Sequence, residues 1–323
     1  MRSRKFKLSH KLLLGIAYML AVMTLSPGAD ARSHHANEIG SSESHSENKS
    51  DFTLPFHLID GYIFIDGEVN RKIGKFMFDT GTGFAFFLNS HFIPLAKDNY
   101  LSEGHAASGQ LLVLHTQNKA VSMKLADQLQ FDNLKLLPHS NFDFIENNVV
   151  EKFLGTAGHE FNKNYLFIIN YDKQTIDFHS FENDDKTLSA YVEKDKVIAT
   201  LPFTATEGGK MPELDFFIGN EKIAGFFDTG NLGSLTLTQD MKTRLENEGY
   251  ISVERRNELY EPHEPTLYGT VRKLRFENQV LEDMHNITLK IGNENKIGMG
   301  YQFLKNYVSV WDYKNKTITL LKR

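Results

Sequence analysis

The chain carries one segment twice, and this duplication constrains the fold more than any other sequence feature. Residues 164–176 align without gaps with residues 306–318, and Asn, Tyr, Tyr, Thr and Ile recur at the same places. Just upstream, residues 158–161 and 300–303 both begin with Gly and end with Phe. Each copy is typical of two strands joined by a charged turn. A repeat of this kind predicts two copies of one lobe.

A second matching pair lies earlier in each copy. Residues 76–81 and 225–230 both run from an apolar strand into Asp-Thr-Gly, which puts Asp79 and Asp228 at equivalent positions. By chance, one Asp-Thr-Gly occurs in roughly one chain in twenty of this length. A single copy therefore indicates no more than a strand-to-turn corner. Two copies at matching places of a repeat indicate a site.

Short apolar runs alternate with turn residues throughout both halves, which is typical of an all-β fold. We therefore predict a mainly β protein with short helices, built as two tandem lobes that each form a closed barrel. Ten residues beyond the two aspartates stand the helix-capping residues Asn89 and Thr238. These caps predict short helices over 90–97 and 239–247.

Shifts in composition divide the chain into five parts. Residues 32–51 are polar and rich in Ser and His, and residues 182–196 form a charged patch, so both are expected to be linkers. The predicted parts are a signal peptide at 1–31, a disordered linker at 32–51, an N-terminal lobe at 52–181, an inter-lobe linker at 182–196 and a C-terminal lobe at 197–323.

The first 31 residues are typical of a secretory signal peptide. A basic head is followed by an apolar run from Leu12 to Leu25 and a helix-breaking stretch that ends at Ala31. Cleavage after Ala31 is expected, and an uncleaved membrane anchor is the alternative. The apolar run is short for a full membrane span. We expect a periplasmic or secreted protein without a stable membrane span after cleavage.

Charge and cysteine content narrow the possible partners. Residues 1–31 hold five basic residues and one acidic residue, so their removal changes the formal charge from −5 to −9. An acidic protein of this kind is a poor candidate for binding nucleic acid. The chain has no cysteine, which suits a bacterial periplasm better than a eukaryotic secretory pathway.

Two carboxyl groups held close together can hydrolyse a peptide bond without a metal or a covalent intermediate. They cannot both ionise easily, so one keeps a proton while the other deprotonates a bound water. Aspartic proteases are the established example of this chemistry. Asp79 and Asp228 are the candidate catalytic residues. The sequence does not decide which of them holds the proton.

The motifs resemble those of the retropepsin-like aspartic peptidases, here in a two-lobe, single-chain arrangement like that of pepsin. The resemblance extends from about residue 52 to the end. It implies an aspartic endopeptidase of peptide or protein substrates that needs no metal or other cofactor. It also implies that Thr80 and Thr229 interlock the two loops. The residues expected to support the loops are Thr80, Gly81, Thr82, Thr229, Gly230 and Asn231.

The resemblance further implies a glycine motif behind each loop and a hairpin flap over the substrate. Phe153–Gly155 or 156–158, and Ile297–Gly300 in the second half, match the glycine motif best. The flap is expected at residues 105–115, and residues 268–270 are its counterpart in the second half. The flap candidates are Ser108, Gly109 and Gln110.

Three hypotheses follow from the sequence. The first is an active endopeptidase that binds extended peptides between the lobes. The second is a catalytically inactive protein of the same fold that binds a peptide or an envelope ligand. The third is a membrane-tethered processing enzyme. Two lobes in one chain remove the need for a homodimer, so a monomer is expected. Zinc-peptidase, serine-hydrolase and nucleotide-binding motifs do not occur in the sequence.

Overall fold

The structure is a computed structural model that describes residues 51–106, 108–181, 192, 196–205, 211–256 and 266–323. Most of these residues lie in strands, which confirms the prediction of a mainly β, two-lobed protein with short helices. The predicted signal peptide and nearly all of both predicted linkers lie outside the described residues. Within the described ranges, no helix combines the length and the apolar character needed to cross a membrane.

Ten strands of the first half form one sheet that curls into a half-barrel. Their bounds are β2 His57–Ile59, β3 Tyr62–Val69, β4 Lys72–Phe78, β5 Phe86–Asn89, β6 Asn99–His105, β7 Leu111–Thr116, β8 Val121–Leu125, β9 Leu129–Leu134, β10 His139–Ser140 and β11 Phe153–Ala157. The order is β6-β7-β10-β5-β11-β4-β3-β8-β9, and β2 pairs with β3. Buried apolar residues alternate with exposed polar ones along strand β8. Because successive side chains of a strand point to opposite faces, one face of the sheet lies against the core.

The second half repeats this sheet strand for strand. Its bounds are β15 Thr204–Ala205, β16 Pro212–Ile218, β17 Glu221–Phe227, β18 Ser234–Leu237, β19 Ile251–Arg256, β20 Thr266–Val271, β21 Leu274–Phe276, β22 Gln279–Val280, β23 Met284–Ile291 and β24 Lys296–Met299. The order is β19-β20-β23-β18-β24-β17-β16-β21-β22, with β15 on β16. Each strand thus occupies the place of its counterpart in the first sheet.

A third sheet of six strands joins the two halves. Its strands are β1 Phe52–Pro55, β12 Tyr165–Asn170, β13 Thr175–Ser180, β14 Val197–Pro202, β25 Val308–Asp312 and β26 Thr317–Leu321. The order is β1-β13-β12-β25-β26-β14. The duplicated segments are its two inner hairpins. They meet antiparallel, with Ile168 opposite Val310. The sheet is therefore symmetric about the boundary between the halves.

Helices are short in the described part of the chain. They are α1 Asp143–Asn148, α2 His159–Asn162, α3 Gln239–Asn247 and α4 Tyr301–Leu304. The prediction for α3 is confirmed, including its cap, because the Thr238 hydroxyl accepts a hydrogen bond from the Met241 N–H at 3.3 Å.

The predicted helix over 90–97 is wrong. Only one helical turn forms, closed by the Ile93 N–H to the Asn89 carbonyl, and Pro94 follows it directly. The Asn89 carboxamide also serves another purpose. Its oxygen accepts the Phe142 N–H and its nitrogen donates to the Phe153 carbonyl, at 3.0 and 2.9 Å. Asn89 thus stabilises the backbone directly before α1.

Aromatic side chains fill the space between the joining sheet and the curled sheets. Phe167 and Trp311 are fully buried and stack at 5.4 Å across the boundary between β12 and β25. Phe78 packs edge-on against Phe167 at 5.7 Å, and Phe227 packs edge-on against Trp311 at 5.8 Å. Phe78 and Phe227 directly precede the two aspartates. The core therefore fixes the end of each strand that carries a candidate catalytic residue.

Candidate functional site

Asp79 and Asp228 stand at the carboxyl ends of two equivalent buried strands. Asp79 follows β4, which runs parallel to β11, and Asp228 follows β17, which runs parallel to β24. The Asp79 N–H donates to the Ala157 carbonyl at 2.9 Å, and the Asp228 N–H donates to the Met299 carbonyl at 3.2 Å. The strands that hold the predicted glycine motifs therefore fix the backbone of both aspartates.

Each carboxyl group reaches the loop of the other lobe. A Cβ atom built on Gly81 would lie 2.7 Å from Oδ1 of Asp228, and one built on Gly230 would lie 2.5 Å from Oδ1 of Asp79. Cβ atoms essentially never come this close to another heavy atom, so a larger residue would force the carboxyl group to shift. Glycine is favoured at both places because it leaves room for the carboxyl group opposite. The structure brings the two aspartates of the sequence repeat into one site.

The threonines of the two motifs interlock the loops. The Thr80 N–H donates to the Thr229 hydroxyl and the Thr229 N–H donates to the Thr80 hydroxyl, both at 3.0 Å. The Thr229 hydroxyl also donates to the Phe78 carbonyl at 2.9 Å. Both threonines are buried. These reciprocal bonds fix the distance between the two carboxyl groups, because each loop is bonded to the other loop as well as to its own lobe.

Asp79 is well supplied with donors on both of its oxygens. Oδ1 accepts the N–H groups of Gly81 and Thr82 at 2.9 and 3.1 Å, and Oδ2 accepts the Thr82 hydroxyl at 2.8 Å. Thr156 donates in turn to the Thr82 hydroxyl at 3.2 Å. Hydrogen bonds of this kind favour the charged form of a carboxyl group.

Asp228 is supplied on one oxygen only. Its Oδ1 accepts the N–H groups of Gly230 and Gly81 at 2.8 and 3.1 Å. Its Oδ2 is buried and has no hydrogen-bond partner within the residues that the structure describes. The Gly81 N–H is shared between Asp79 and Asp228. One backbone donor thus bridges the two carboxyl groups.

Asn231 occupies the place that Thr82 has in the first loop, but its side chain is turned away from Asp228. Its Oδ1 accepts the Gly233 N–H at 2.7 Å, and its Nδ2 lies 3.4 Å from the Ser234 hydroxyl. Asn231 therefore supports its own loop. It does not donate to the neighbouring carboxyl group.

The pKa values of both carboxyl groups are raised. Burial is the main cause in each case, because it penalises the charged form. Hydrogen bonds from Thr82 and Gly81 oppose this effect at Asp79. At Asp228, the charge of Asp79 adds to it, and the pKa lies well above its ordinary value. Raised pKa values on two neighbouring carboxyl groups favour a state in which the pair holds one shared proton.

Two aromatic rings that the sequence did not point to lie next to the site. Tyr313 is partly exposed, but its hydroxyl oxygen is buried. This burial raises the pKa of Tyr313, and the nearby charge of Asp228 raises it further. The Tyr313 ring contacts His159 of α2 at 4.9 Å. By the sequence repeat, the equivalent pair is Tyr171 and Tyr301, at 5.5 Å. Aligning the repeat beyond its identical positions would have indicated both pairs.

The predicted flap residues form the tip of a hairpin. Strands β6 and β7 pair along their length, and Ser108, Gly109 and Gln110 lie in the turn between them, where Gly109 has a φ of +93°. Ala106 at the tip packs in one apolar cluster with Phe84, a residue that follows the Asp79 loop. Residues 268–270 lie within β20, while the tip of that second hairpin is outside the described residues.

Substitution of Gly230 is expected to destabilise the fold. Gly230→Ala places a methyl group against the Asp79 carboxyl, and overpacking of this kind costs about 1–3 kcal/mol. Urea denaturation measures the change in the free energy of unfolding. Gly269→Ala is the matched control, since its Cβ would meet no atom closer than 3.2 Å. Equal stability of the two variants would contradict the contact between Gly230 and Asp79.

Comparison with known proteins places the chain in no family. No family model and no curated protein matches it. The basic 7S globulin from soybean matches with 9% identity and a TM-score of 0.49, covering 84% of this chain and 95% of that chain. Conglutin gamma, a basic 7S globulin from lupine seeds, matches with 8% identity and a TM-score of 0.47, covering 85% and 95%.

The resemblance to the retropepsin-like and pepsin-like peptidases is therefore wrong as a family assignment. No family model supports it, and two of the solved structures that match are basic 7S globulins. Two Asp-Thr-Gly corners on a duplicated β lobe do not suffice to assign that family, since a fold does not fix a function.

Proposed function

We propose that this protein is an aspartic-type endopeptidase that hydrolyses peptide bonds with a water molecule activated between Asp79 and Asp228. The observation that supports this proposal most strongly is the shared backbone donor. The Gly81 N–H lies 2.9 Å from one carboxyl group and 3.1 Å from the other. Carboxyl groups this close share one proton at working pH, which is the state that acid and base catalysis by a pair requires.

The chemistry needs no other group. The ionised carboxylate takes a proton from water, and the water oxygen attacks the scissile carbonyl. The protonated carboxyl group donates its proton to the carbonyl oxygen, and the resulting tetrahedral intermediate collapses as the amine leaves with a proton. The interlocked threonines hold the geometry, so little reorganisation is needed during the reaction.

An extended peptide is the substrate class that the architecture favours. Substrate would lie between the two lobes and pair with strand edges there, as in other β-augmentation complexes. Both aspartates are fully buried. Unfolded segments therefore suit such a site better than folded proteins, because a single extended chain reaches buried groups more easily.

A cleavage assay across pH tests the proposal. Purified residues 32–323 are expected to cleave a denatured protein at acidic to neutral pH. Asp79→Asn is expected to reduce the rate by roughly 10²- to 10⁴-fold, the usual contribution of a general acid or base. The exposed Asp132→Asn serves as the control. Equal cleavage by wild type and Asp79→Asn would exclude the proposed pair.

A binding protein without catalytic activity is the second candidate. The complete burial of both carboxyl groups favours it, and so does Oδ2 of Asp228, which has no hydrogen-bond partner in the described part of the chain. Its ligand would be an extended peptide or a component of the cell envelope. Calorimetry with the denatured substrate of the cleavage assay separates the two functions, because this candidate predicts binding without any cleavage product.

Export of the protein belongs to the same proposal. The basic head and the apolar run at 12–25 support a cleaved signal peptide and a periplasmic or secreted location. Intact-mass measurement of the exported protein is expected to show a chain that begins at Arg32. A mass that includes residues 1–31 would instead support the membrane-tethered alternative.

A further inference from the structure

The two loops of the site are equivalent in backbone and unequal in side chains. Thr82 and Asn231 each follow an Asp-Thr-Gly motif and each donates its N–H to the carbonyl of the aspartate, at 3.2 Å in both loops. Only Thr82 adds a side-chain bond to the carboxyl group, at 2.8 Å. The side-chain donor that Asp79 has and Asp228 lacks is therefore determined at this one position.

We propose that Asn231 determines which aspartate of the pair holds the shared proton. Because its side chain is turned away from Asp228, Asp228 holds the proton and Asp79 acts as the base. This inference rests on the proposed function. Asn231 touches neither water nor substrate in this account, so it is a positioning residue that acts through Asp228.

The bonding of the two carboxyl groups supports the assignment. A charged Asp79 has donors on both oxygens, whereas a charged Asp228 would leave Oδ2 buried without one. A buried charge without partners is far more costly than a neutral acceptor without one. The proton therefore resides on Asp228, and its O–H points toward the Asp79 carboxylate.

The other groups near Asp228 reinforce this arrangement. Asp79 faces it from the opposite loop, and Tyr313 faces it from the end of β25. Neither group supplies a positive charge. The side chain of His159 contacts the Tyr313 ring and belongs to α2 of the first lobe. The donors that Asp228 has are the Gly230 and Gly81 N–H groups, and both of them bond to Oδ1.

The consequence is a working range that extends toward neutral pH. Catalysis ends at high pH when the pair loses its shared proton. Because Asp228 has no donor to its Oδ2, it keeps that proton to higher pH. The acid limb is set by Asp79, which Thr82 stabilises in its charged form. Thr82 and Asn231 therefore control opposite limbs of the pH profile.

The test is an Asn231→Thr variant of residues 32–323, which restores the donor that Asp228 lacks. A hydrogen bond to a charged group is expected to lower the titration midpoint of Asp228 by about one to two pH units. The alkaline limb of kcat/KM is expected to move by the same amount. The midpoint is read by ¹³C NMR of labelled aspartate, assigned with the Asp79→Asn and Asp228→Asn variants.

Two further variants define the outcome. Thr82→Val is expected to raise the midpoint of Asp79 and to move the acid limb instead. Ser234→Ala removes the hydroxyl next to Asn231 and is expected to leave the midpoint of Asp228 unchanged. An unchanged Asp228 midpoint in folded Asn231→Thr would overturn the inference, and Asn231→Ser repeats the test should that variant not fold. The titration midpoint of Asp228, measured by NMR, tests the inference even if no cleavage is found at any pH. An absence of cleavage would contradict the proposed function and not this inference.

Discussion

Replacing Asp228 by Asn is expected to abolish cleavage and, at the same time, to make the protein more stable at neutral pH. The loss of a general acid reduces kcat/KM by roughly 10²- to 10⁴-fold. The gain in stability follows from burial, since Asn is close in shape to Asp and carries no charge. The expected gain in the free energy of unfolding at pH 8 is about 1–3 kcal/mol, the cost of a buried polar group without a partner.

The sign of the pH dependence follows from linkage. Burial raises the pKa of Asp228 in the folded state well above its ordinary value, and the charge of Asp79 raises it further. The folded protein therefore holds this proton more tightly than the unfolded chain does. The resulting stability is fully present at pH values below the ordinary Asp pKa and is lost as the pH rises through the folded pKa.

Urea denaturation at several pH values between 4 and 8 checks this prediction. The wild-type free energy of unfolding is expected to fall across this range, and the curve of Asp228→Asn is expected to fall less. Asp132→Asn, which changes an exposed carboxyl group on β9, is the matched control. A parallel fall in wild type and Asp228→Asn would show that Asp228 is not the buried proton holder described above.

The second large effect is expected at the threonine interlock. Thr229→Val removes the acceptor for the Thr80 N–H and the donor to the Phe78 carbonyl, which lie 3.0 and 2.9 Å from the Thr229 hydroxyl. Both partners are buried, so both are left unsatisfied. The expected loss is about 2–4 kcal/mol of unfolding free energy, from roughly 1–3 kcal/mol for each buried group. Cleavage is expected to fall as well, because the separation of the carboxyl groups is no longer fixed.

A double-mutant cycle makes this prediction specific. Thr80→Val and Thr229→Val, singly and together, are expected to show a coupling energy of about 0.5–3 kcal/mol, as contacting residues do. Thr200→Val is the control, because this exposed threonine lies on β14 with its hydroxyl 3.4 Å from that of Thr319. The control is expected to change stability by about 0.5 kcal/mol or less. Additive effects at Thr80 and Thr229 would contradict the interlock.

Repetition made much of the fold predictable from the sequence. The segments at 164–176 and 306–318 indicated paired hairpins, and they form the four inner strands of the joining sheet. The capping residue Thr238 correctly marked the start of α3. These predictions succeeded because local patterns and the global fold agree at these places.

Other features required the tertiary structure. Asn89 resembles a helix cap, but its carboxamide is used by Phe142 and Phe153, which lie far along the chain. The sequence does not show whether the Asn231 side chain bonds to Asp228 or to its own loop; in the structure it accepts the Gly233 N–H. Tyr313 comes near Asp228 through the joining sheet, a contact between positions widely separated in sequence.

The most direct measurement of the central claim is the titration of Asp228 with and without the charge of Asp79. By ¹³C NMR of labelled aspartate, the midpoint of Asp228 is expected to lie well above its ordinary value in the wild type. It is expected to fall in Asp79→Asn while remaining raised by burial. An Asp228 midpoint that is the same in both proteins would show that the two carboxyl groups do not share a site.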